Sequence, residues 1–179
     1  MLQKGLHVER HYHPPFGPID LFAVGMDREV ALDAQELGLD DVILNLGPGI
    51  KHINGAKELE WPEWNGEHDP MPYEDGSVDR IYALHFLEHL SSPVHCLREC
   101  QRVLRSGGTL NIVVPHRLGA IAYQDLDHKS FFTEDTWQTL FGNPYYDKDK
   151  RGWNMSVGFN LIMGLNERNL VLVSQLIKN

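Results

Sequence analysis

A short apolar run that ends in two closely spaced glycines constrains the fold of this chain more than any other feature. Residues 42 to 46 read Val-Ile-Leu-Asn-Leu, and Gly47-Pro48-Gly49 follows directly. A run of this length, rich in large apolar residues, is typical of a buried strand. Glycine carries no side chain, so a turn with two glycines lets the backbone approach a bound molecule closely. The run therefore predicts a buried strand, Val42–Leu46, with a ligand-binding turn at its carboxyl end.

Beyond this turn the chain alternates between strand-like and helix-like segments. We predict strands over Lys57–Trp61, Arg80–Leu84 and Thr109–Val114, and a weaker one near Trp64–His68. Ser92 is predicted to cap a helix that has Pro93 in its first position, where proline is tolerated, and that ends at Gly107-Gly108. Strands separated by helices predict an α/β domain with a parallel sheet.

The two ends of the chain depart from this alternation. Residues 159–164 and 169–176 are apolar runs on either side of a short turn, a pattern that predicts an antiparallel hairpin. Residues 1–25 are rich in His, Pro and Gly, and we expect an N-terminal arm or lid there. A helix is predicted from Asp27 to about Leu37, closed by Gly38. The length of 179 residues predicts one domain over 1–179.

Charge and composition exclude some classes of partner. The formal net charge of −9 disfavours nucleic acid, because binding to phosphates depends on Lys and Arg. No apolar run approaches the ~20 residues that span a bilayer, and the start of the chain lacks the apolar core of a signal peptide. Cys96 and Cys100 lie four residues apart in a helical pattern, which favours reduced thiols on one helix face. We therefore expect a cytoplasmic protein without nucleic-acid or membrane partners.

The order of three segments supports a family resemblance. The glycine turn is followed by Met71-Pro72-Tyr73 before a strand, and then by the segment Arg102–Gly108. In that order the segments resemble class I S-adenosylmethionine (SAM)-dependent methyltransferases, especially the methyltransferase type 11 group and its short, phage-type variants. The resemblance implies a Rossmann-like fold, with a mostly parallel seven-stranded sheet and a C-terminal antiparallel hairpin. It also implies SAM as cofactor and methyl transfer to a small molecule or to an exposed oxygen or nitrogen.

The resemblance also implies roles for individual residues around the cofactor. Gly47 and Gly49 turn under the methionine part of SAM, and Glu60 holds the ribose hydroxyls, since a carboxylate accepts two hydrogen bonds from a diol. Asp69 is placed near the adenine amino group. Asn45 stands where the family has an acidic residue, and His85 borders the same pocket. The simpler alternatives remain an ordinary turn at the glycines, a solvated residue at the strand end for Glu60, and an ordinary turn that begins at Asp69-Pro70.

Three features depart from the family pattern. Asn45 replaces the acid, Lys51 replaces the third glycine, and the stretch from Gly49 to Lys57 is too short for a helical crossover, which needs a dozen or more residues. We therefore expect the first crossover helix to be missing and the pocket to be more open. These departures favour the alternative of a non-catalytic methyltransferase-like binding module.

Most candidate residues for the part of the pocket that binds the methyl acceptor are histidines. His85, His116 and His128 are predicted to line it as catalytic residues, because a neutral imidazole accepts a proton as methyl transfers. The alternative is a partly buried, hydrogen-bonded role for each of them. The three histidines together with Asp127 form an open alternative for a metal site.

The segment His85-Phe86-Leu87-Glu88-His89 matches the inverted zincin motif His-x-x-Glu-His, which gives a zinc hydrolase as a third interpretation. Ser91-Ser92-Pro93 ends this helical segment after about one and a half turns. We therefore assign no metal ligand from the sequence. The acceptor and the oligomeric state stay open.

Overall fold

The computed structural model describes residues 32–33, 41–143, 145, 152–164 and 168–179. Its strands are β1 (Leu32–Asp33), β2 (Ile43–Leu46), β3 (Ile53–Asn54), β4 (Lys57–Leu59), β5 (Val78–Leu84), β6 (Leu104–Pro115), β7 (Met155–Gly164) and β8 (Leu170–Lys178). Its helices are α1 (Val94–Val103), α2 (Ile121–Gln124) and α3 (Thr136–Gly142), with a 3-10 helix at Leu87–His89. None of the helices in these ranges is long and apolar enough to cross a membrane.

The main sheet has the order β4-β2-β5-β6-β8-β7. Its first four strands are parallel, and β8 runs antiparallel to both β6 and β7. The sheet therefore confirms the predicted α/β class and the C-terminal hairpin. Strand β4 lies at one edge, where the exposed charged residues Lys57 and Glu58 disfavour pairing with another chain.

The sheet has six strands in the described ranges, because the predicted strand near Trp64–His68 is wrong. Turns occupy this segment. The Asn65 side-chain oxygen accepts the Glu67 N–H at 2.9 Å, and the Asp69 carboxylate accepts the Asn65 N–H at 2.8 Å. Short polar side chains that bind nearby backbone in this way compete with a strand ladder.

The predicted boundaries of the central helix are also corrected. Helix α1 begins at Val94 with Pro93 in the capping position, and it ends at Val103. Gly107 and Gly108 lie inside β6 instead of ending the helix. Leu104 pairs with Val78 and Thr109 with Arg80, so residues 105–108 bulge from the strand. Gly107 has φ +76°, a backbone conformation that suits glycine in such a bulge.

The connection from β2 to β4 contains no helix in the structure, as the sequence predicts. It contains the two-residue strand β3, which pairs in parallel with β1 through Leu32 and Ile53. The helix predicted over Asp27–Leu37 is therefore wrong at Leu32–Asp33. The rest of that helix and the predicted arm at 1–25 lie outside the described residues.

Buried side chains pack on both faces of the sheet. Leu46, Ile81 and Ile112 point to the face covered by α1 and α3, and Tyr82 and Val113 belong to the opposite cluster. Cys96 and Cys100 of α1 are buried free thiols, as predicted. Burial, followed by a hydrogen bond with Cys96, raises the pKa of the Cys100 thiol well above its usual value.

Buried polar side chains join the last strands of the sheet. Asn111 of β6 is paired with Gln175 of β8, and the Gln175 Nε2–H donates to Asn111 Oδ1 at 2.9 Å. On the other face, the Trp137 indole N–H donates to Ser174 Oγ at 2.8 Å, and the Ser174 hydroxyl donates to Asn160 Oδ1 at 2.7 Å. Helix α3 and the hairpin are thereby connected through hydrogen bonds inside the core.

Candidate cofactor and acceptor site

The glycine turn lies at the carboxyl end of β2, where α/β sheets bind their ligands. Gly47 and Gly49 have φ angles of +53° and +52°, in the left-handed region that favours glycine. The Gly47 N–H donates to the Leu59 carbonyl at 2.8 Å, which fastens the turn to the end of β4. A Cβ on Gly47 would lie 2.2 Å from Phe86 Cδ2, whereas a Cβ on Gly49 would meet open space.

Phe86 is a residue that the sequence analysis missed. Its ring packs against both Gly47 and Gly66, where an added Cβ would lie 2.8 Å from Phe86 Cζ. It also contacts the Trp64 ring, with centroids 5.9 Å apart. In the sequence, the position of Phe86 is indicated only by Gly47 and Gly66, which lie far apart along the chain. Phe86 forms one wall beside the glycine turn.

Asn45 supports the turn from inside the sheet. Its side chain is fully buried, and its Nδ2–H donates to the Lys51 carbonyl at 2.8 Å. The Lys51 N–H in turn donates to the Pro48 carbonyl at 2.7 Å. Asn45 therefore holds the loop that follows the glycines, and its Oδ1 is a buried atom with no hydrogen-bond partner among the described residues.

Glu60 is brought directly to the glycine turn. It follows β4, and its Oε1 accepts the Gly49 N–H at 3.2 Å. Its carboxylate is exposed, and the neighbouring Trp61 is 71% exposed. An acidic group and an open aromatic face therefore lie next to the turn.

Asp69 occupies a different loop. Its carboxylate accepts the Asn65 N–H, and its own backbone carbonyl contacts His95 Nε2 at 3.1 Å. One carboxylate oxygen is thus engaged in holding the 65–69 turn. This arrangement corresponds to the turn-forming alternative that the sequence left open.

His85 has an unusual backbone for a residue with a side chain, with φ +57°. Its Nδ1 lies 3.0 Å from Oε1 of the buried Glu88. A carboxylate accepts, so the Nδ1 carries the proton and the lone pair is left on Nε2. That Nε2 is buried and has no hydrogen-bond partner in the described part of the chain. His85 therefore combines a strained backbone with an unused basic nitrogen.

The left-handed backbone at His85 predicts that a glycine variant is more stable than an alanine variant at this position, which is the reverse of the usual order. Left-handed backbone costs a residue with a Cβ about 1–2 kcal/mol, and glycine avoids this cost. We expect His85→Gly to unfold at higher urea than His85→Ala, by about 1 kcal/mol in free energy of unfolding. Equal stability of the two variants would contradict the left-handed backbone. His89 in the 3-10 helix is the control, where the glycine variant should be the less stable.

A cavity of about 360 Å³ lies beside His85, at the carboxyl ends of β5 and β6. It is lined by Lys51, His85, Glu88, His89, Pro115, Ile121, Gln124, Asp125, His128 and Asn169. Two of the three predicted acceptor-side histidines, His85 and His128, therefore share one cavity. The elements that supply the lining are far apart in sequence, which is why the sequence analysis did not identify Gln124 or Asp125.

His116 does not line this cavity, so the structure does not bring it together with His85 and His128. It is fully buried, and its Nε2 lies 2.9 Å from Glu134 Oε2. Its Nδ1 accepts the Leu118 N–H at 3.4 Å, so both ring nitrogens are occupied. The pKa of Glu134 lies below its usual value, because the Glu134 backbone N–H and then His116 favour the charged carboxylate. His116 holds two segments together and offers no free nitrogen to an acceptor.

His128 retains a nitrogen for chemistry. Its Nδ1 lies 3.1 Å from the Ala122 carbonyl, which can only accept, so the Nδ1 carries the proton. The Nε2 atom lies 3.9 Å from Asp125 Oδ2. The ring packs edge-on against the His89 ring, with the two centroids 4.9 Å apart. Asp127 is exposed and its backbone N–H donates to Asp125. The predicted alternative of three histidines with Asp127 is therefore not formed.

The inverted zincin arrangement is not formed either. It needs two histidines on one helix face, but the helical segment spans only Leu87–His89. His85 precedes it with a left-handed backbone. His85 and His89 therefore do not share a helix.

Comparison with known proteins supports the class of domain that the sheet order and the glycine turn define. Residues 47–112 match the family described as methyltransferase domain. A stretch of 65 residues is 34% identical to the "Probable S-adenosylmethionine-dependent methyltransferase" of Mycobacterium tuberculosis, over 36% of this chain and 24% of that protein.

Solved structures share the fold at low sequence identity. A SAM-dependent methyltransferase of Methanosarcina mazei aligns over 78% of this chain and 92% of its own, with a TM-score of 0.52 and 15% identity. The [4+2]-cyclase SpnF aligns over 81% of this chain and 77% of its own, with a TM-score of 0.55 and 12% identity.

These matches confirm the predicted resemblance: residues 47–112 resemble a methyltransferase domain, and the chain has the fold of the solved methyltransferase structures. It matches 28% and 24% of the lengths of two curated relatives, from Streptomyces fradiae and Mycobacterium tuberculosis.

Proposed function

We propose that the protein transfers a methyl group from SAM to an oxygen or nitrogen acceptor on a small molecule or an exposed group. The contact between Glu60 Oε1 and the Gly49 N–H carries this proposal. It places an acidic side chain and a close-approach turn at one point of the carboxyl edge of the sheet. That combination suits a ligand with a ribose diol and a positively charged end.

The residues present fit SAM at this turn. A Cβ added to Gly49 would meet no atom within 4 Å, so there is space for a ligand beside the turn. The exposed Glu60 carboxylate accepts one hydrogen bond from Gly49 and can accept others from a ligand. Gly47, Gly49 and Glu60 would hold the cofactor, and Asn45 would support them through the Lys51 loop. We assign Asp69 to the adenine side as a weaker contact, because one of its oxygens already holds Asn65. SAM supplies a methyl group already activated on a sulfonium.

The acceptor would occupy the cavity beside His85. Glu88 orients the His85 ring and leaves its Nε2 free to take a proton from an acceptor hydroxyl or amine. His128 lines the same cavity, and its Nε2 lies 3.9 Å from Asp125 Oδ2. The work of the protein is then largely to align the acceptor with the methyl group. We also propose a cytoplasmic location, on the basis of the two buried free thiols.

Titration with SAM and S-adenosylhomocysteine by calorimetry tests the proposal. We expect micromolar binding by the full chain and a loss of tenfold or more in Glu60→Gln, about 1.4 kcal/mol for each factor of ten. Glu63→Gln is the matched control, since Glu63 is an exposed carboxylate in the neighbouring turn, and it should bind like the wild type. A folded wild type that binds neither ligand at millimolar concentration would refute the proposal.

A non-catalytic binding module is the second candidate, and one observation favours it. The Phe86 ring lies against Gly47 and narrows the turn on that side. The shared fold does not require methyl transfer, since one structural neighbour is named as a cyclase. Tight cofactor binding without methyl transfer to any acceptor tested would support this module over the enzyme.

A further inference from the structure

Three side chains of the cavity lie close enough to share one ion. A carboxylate oxygen of Glu88 and one ring nitrogen each of His89 and His128 all lie within 4.8 Å of one another. We propose that Glu88, His89 and His128 form a binding site for a divalent transition metal, with zinc as the best match. Two imidazoles and one carboxylate are a ligand set that zinc uses in catalytic sites, which keep a fourth position open.

The buried state of Glu88 is the independent observation that points to a ligand. Its side chain is 1% exposed, and its Oε1 is engaged by His85 Nδ1 at 3.0 Å. Its Oε2 is buried and has no hydrogen-bond partner among the residues that the structure describes. A buried carboxylate oxygen without a partner is costly, and a cation in the adjoining cavity supplies that partner.

The hydrogen bonds around the three ligands suit metal binding. The Ala122 carbonyl accepts the Nδ1–H of His128, which leaves Nε2 as the nitrogen available to a metal. Histidine ligands are commonly oriented by such a bond from the second ring nitrogen. His85 orients Glu88 in the same manner through its Nδ1–H. Two of the three ligands are therefore held in place before an ion arrives.

The charges that line the cavity favour a cation on balance. Glu88 and Asp125 contribute two carboxylates, and Lys51 contributes one ammonium, so their formal sum is −1. Asp125 lies outside the group of three, but its Oδ2 lies 3.9 Å from His128 Nε2, where it could accept a hydrogen bond from a metal-bound water. A zinc ion holds its ligand atoms ~2.0–2.2 Å away, so the side chains close by small rotations on binding.

This site differs from the motif that the sequence suggested. It uses Glu88 and His89 of the His-x-x-Glu-His segment, but the second histidine is His128, from a loop 39 positions away. His85 is a positioning residue for Glu88 here and not a ligand. The ion would polarise an oxygen bound in the cavity, which fits an acceptor with a hydroxyl or carboxylate group. Metal binding does not depend on SAM, so a failure of the metal site in the test is distinguishable from a failure of the proposed methyl transfer.

The test measures metal binding by the untagged full chain after removal of metals with a chelator. Titration with Co²⁺, followed by its visible absorption, and competition by Zn²⁺ should show one tightly bound equivalent. We expect His89→Ala and His128→Ala each to weaken metal binding by ~100-fold, because the loss of a direct ligand costs at least as much affinity as the loss of a residue that supports a ligand. Glu88→Gln keeps the size of the side chain and should show the same loss, and circular dichroism confirms that each variant is folded.

Two controls separate this site from incidental binding by other histidines. His68→Ala changes an exposed histidine outside the cavity, and His11→Ala/His13→Ala removes the His-x-His segment near the start of the chain. Both should bind the metal like the wild type. The proposal is overturned if the wild type binds no metal in competition with a weak chelator. It is equally overturned if folded His128→Ala binds normally or if the His11→Ala/His13→Ala variant loses the metal.

Discussion

A Gly47→Ala variant is expected to lose about 2–5 kcal/mol of unfolding free energy, together with its SAM binding. The left-handed backbone at φ +53° costs alanine about 1–2 kcal/mol. The added Cβ would lie 2.2 Å from Phe86 Cδ2, and such overpacking typically costs a further ~1–3 kcal/mol. Urea unfolding and calorimetric titration with SAM measure the two losses separately.

Gly49→Ala is the matched control for this prediction. Its φ of +52° is nearly the same, but its Cβ would meet nothing within 4 Å. It should therefore lose only the backbone cost of about 1–2 kcal/mol. The double variant Gly47→Ala/Phe86→Leu should recover part of the difference. If Gly47→Ala and Gly49→Ala are equally destabilised, the Phe86 ring does not pack on the turn as described.

An Arg102→Met variant is expected to lose about 2–4 kcal/mol of stability at neutral pH, since it leaves several polar groups without partners at ~1–3 kcal/mol each. The guanidinium donates to the backbone carbonyls of Met71 and Tyr73 and to the carboxylates of Asp75 and Glu99. It thereby fastens the loop before β5 to helix α1. Arg105→Met is the control: Arg105 is exposed and pairs with Asp79, and a solvent-exposed ion pair contributes little to stability.

The cost of Arg102→Met should shrink in acid. Burial raises the pKa of Glu99, but hydrogen bonds from Arg102 and from the Met71 N–H outweigh burial, so its pKa lies below its usual value. A carboxyl group with a lowered pKa stabilises the fold above its unfolded pKa of about 4.3, and this contribution is lost as the pH falls through the folded value. Urea unfolding between pH 7 and pH 3.5 should show the wild type and variant converging. A gap that stays constant would refute the role of the charged pair.

The parallel strands and the terminal hairpin could be predicted because local patterns determine them. The apolar runs around Ile43, Ile81 and Ile112 and the terminal hairpin all appear in the sheet, although β6 and β7 begin before their predicted starts, at Leu104 and Met155. The segment 64–68 could not be predicted, because Asn65 and Asp69 bind nearby backbone and form a turn where composition suggests a strand. The end of α1 was misplaced because a glycine pair serves a bulge as readily as it ends a helix.

The site was predictable to the extent that it depends on strand ends. Gly49 and Glu60 follow neighbouring parallel strands, so their contact follows from the order of the sheet. The environment of His116 could not be predicted from the sequence. Glu134 and Leu118 form hydrogen bonds with its two ring nitrogens, and only the folded chain brings them there. The meeting of His128 with Glu88 and His89 is likewise a long-range contact that no local pattern contains.

The buried pair Asn111 and Gln175 has a consequence for the uniqueness of the C-terminal half. Strand β8 is buried along most of its length, so apolar burial alone allows it several alignments against β6. A slip of one residue would place Gln175 opposite Leu110 or Ile112 and break the hydrogen bond between Gln175 Nε2 and Asn111 Oδ1, at about 1–3 kcal/mol for each group left unpaired. Polar groups inside the sheet thus penalise misaligned hairpins during folding, and a single native alignment is selected.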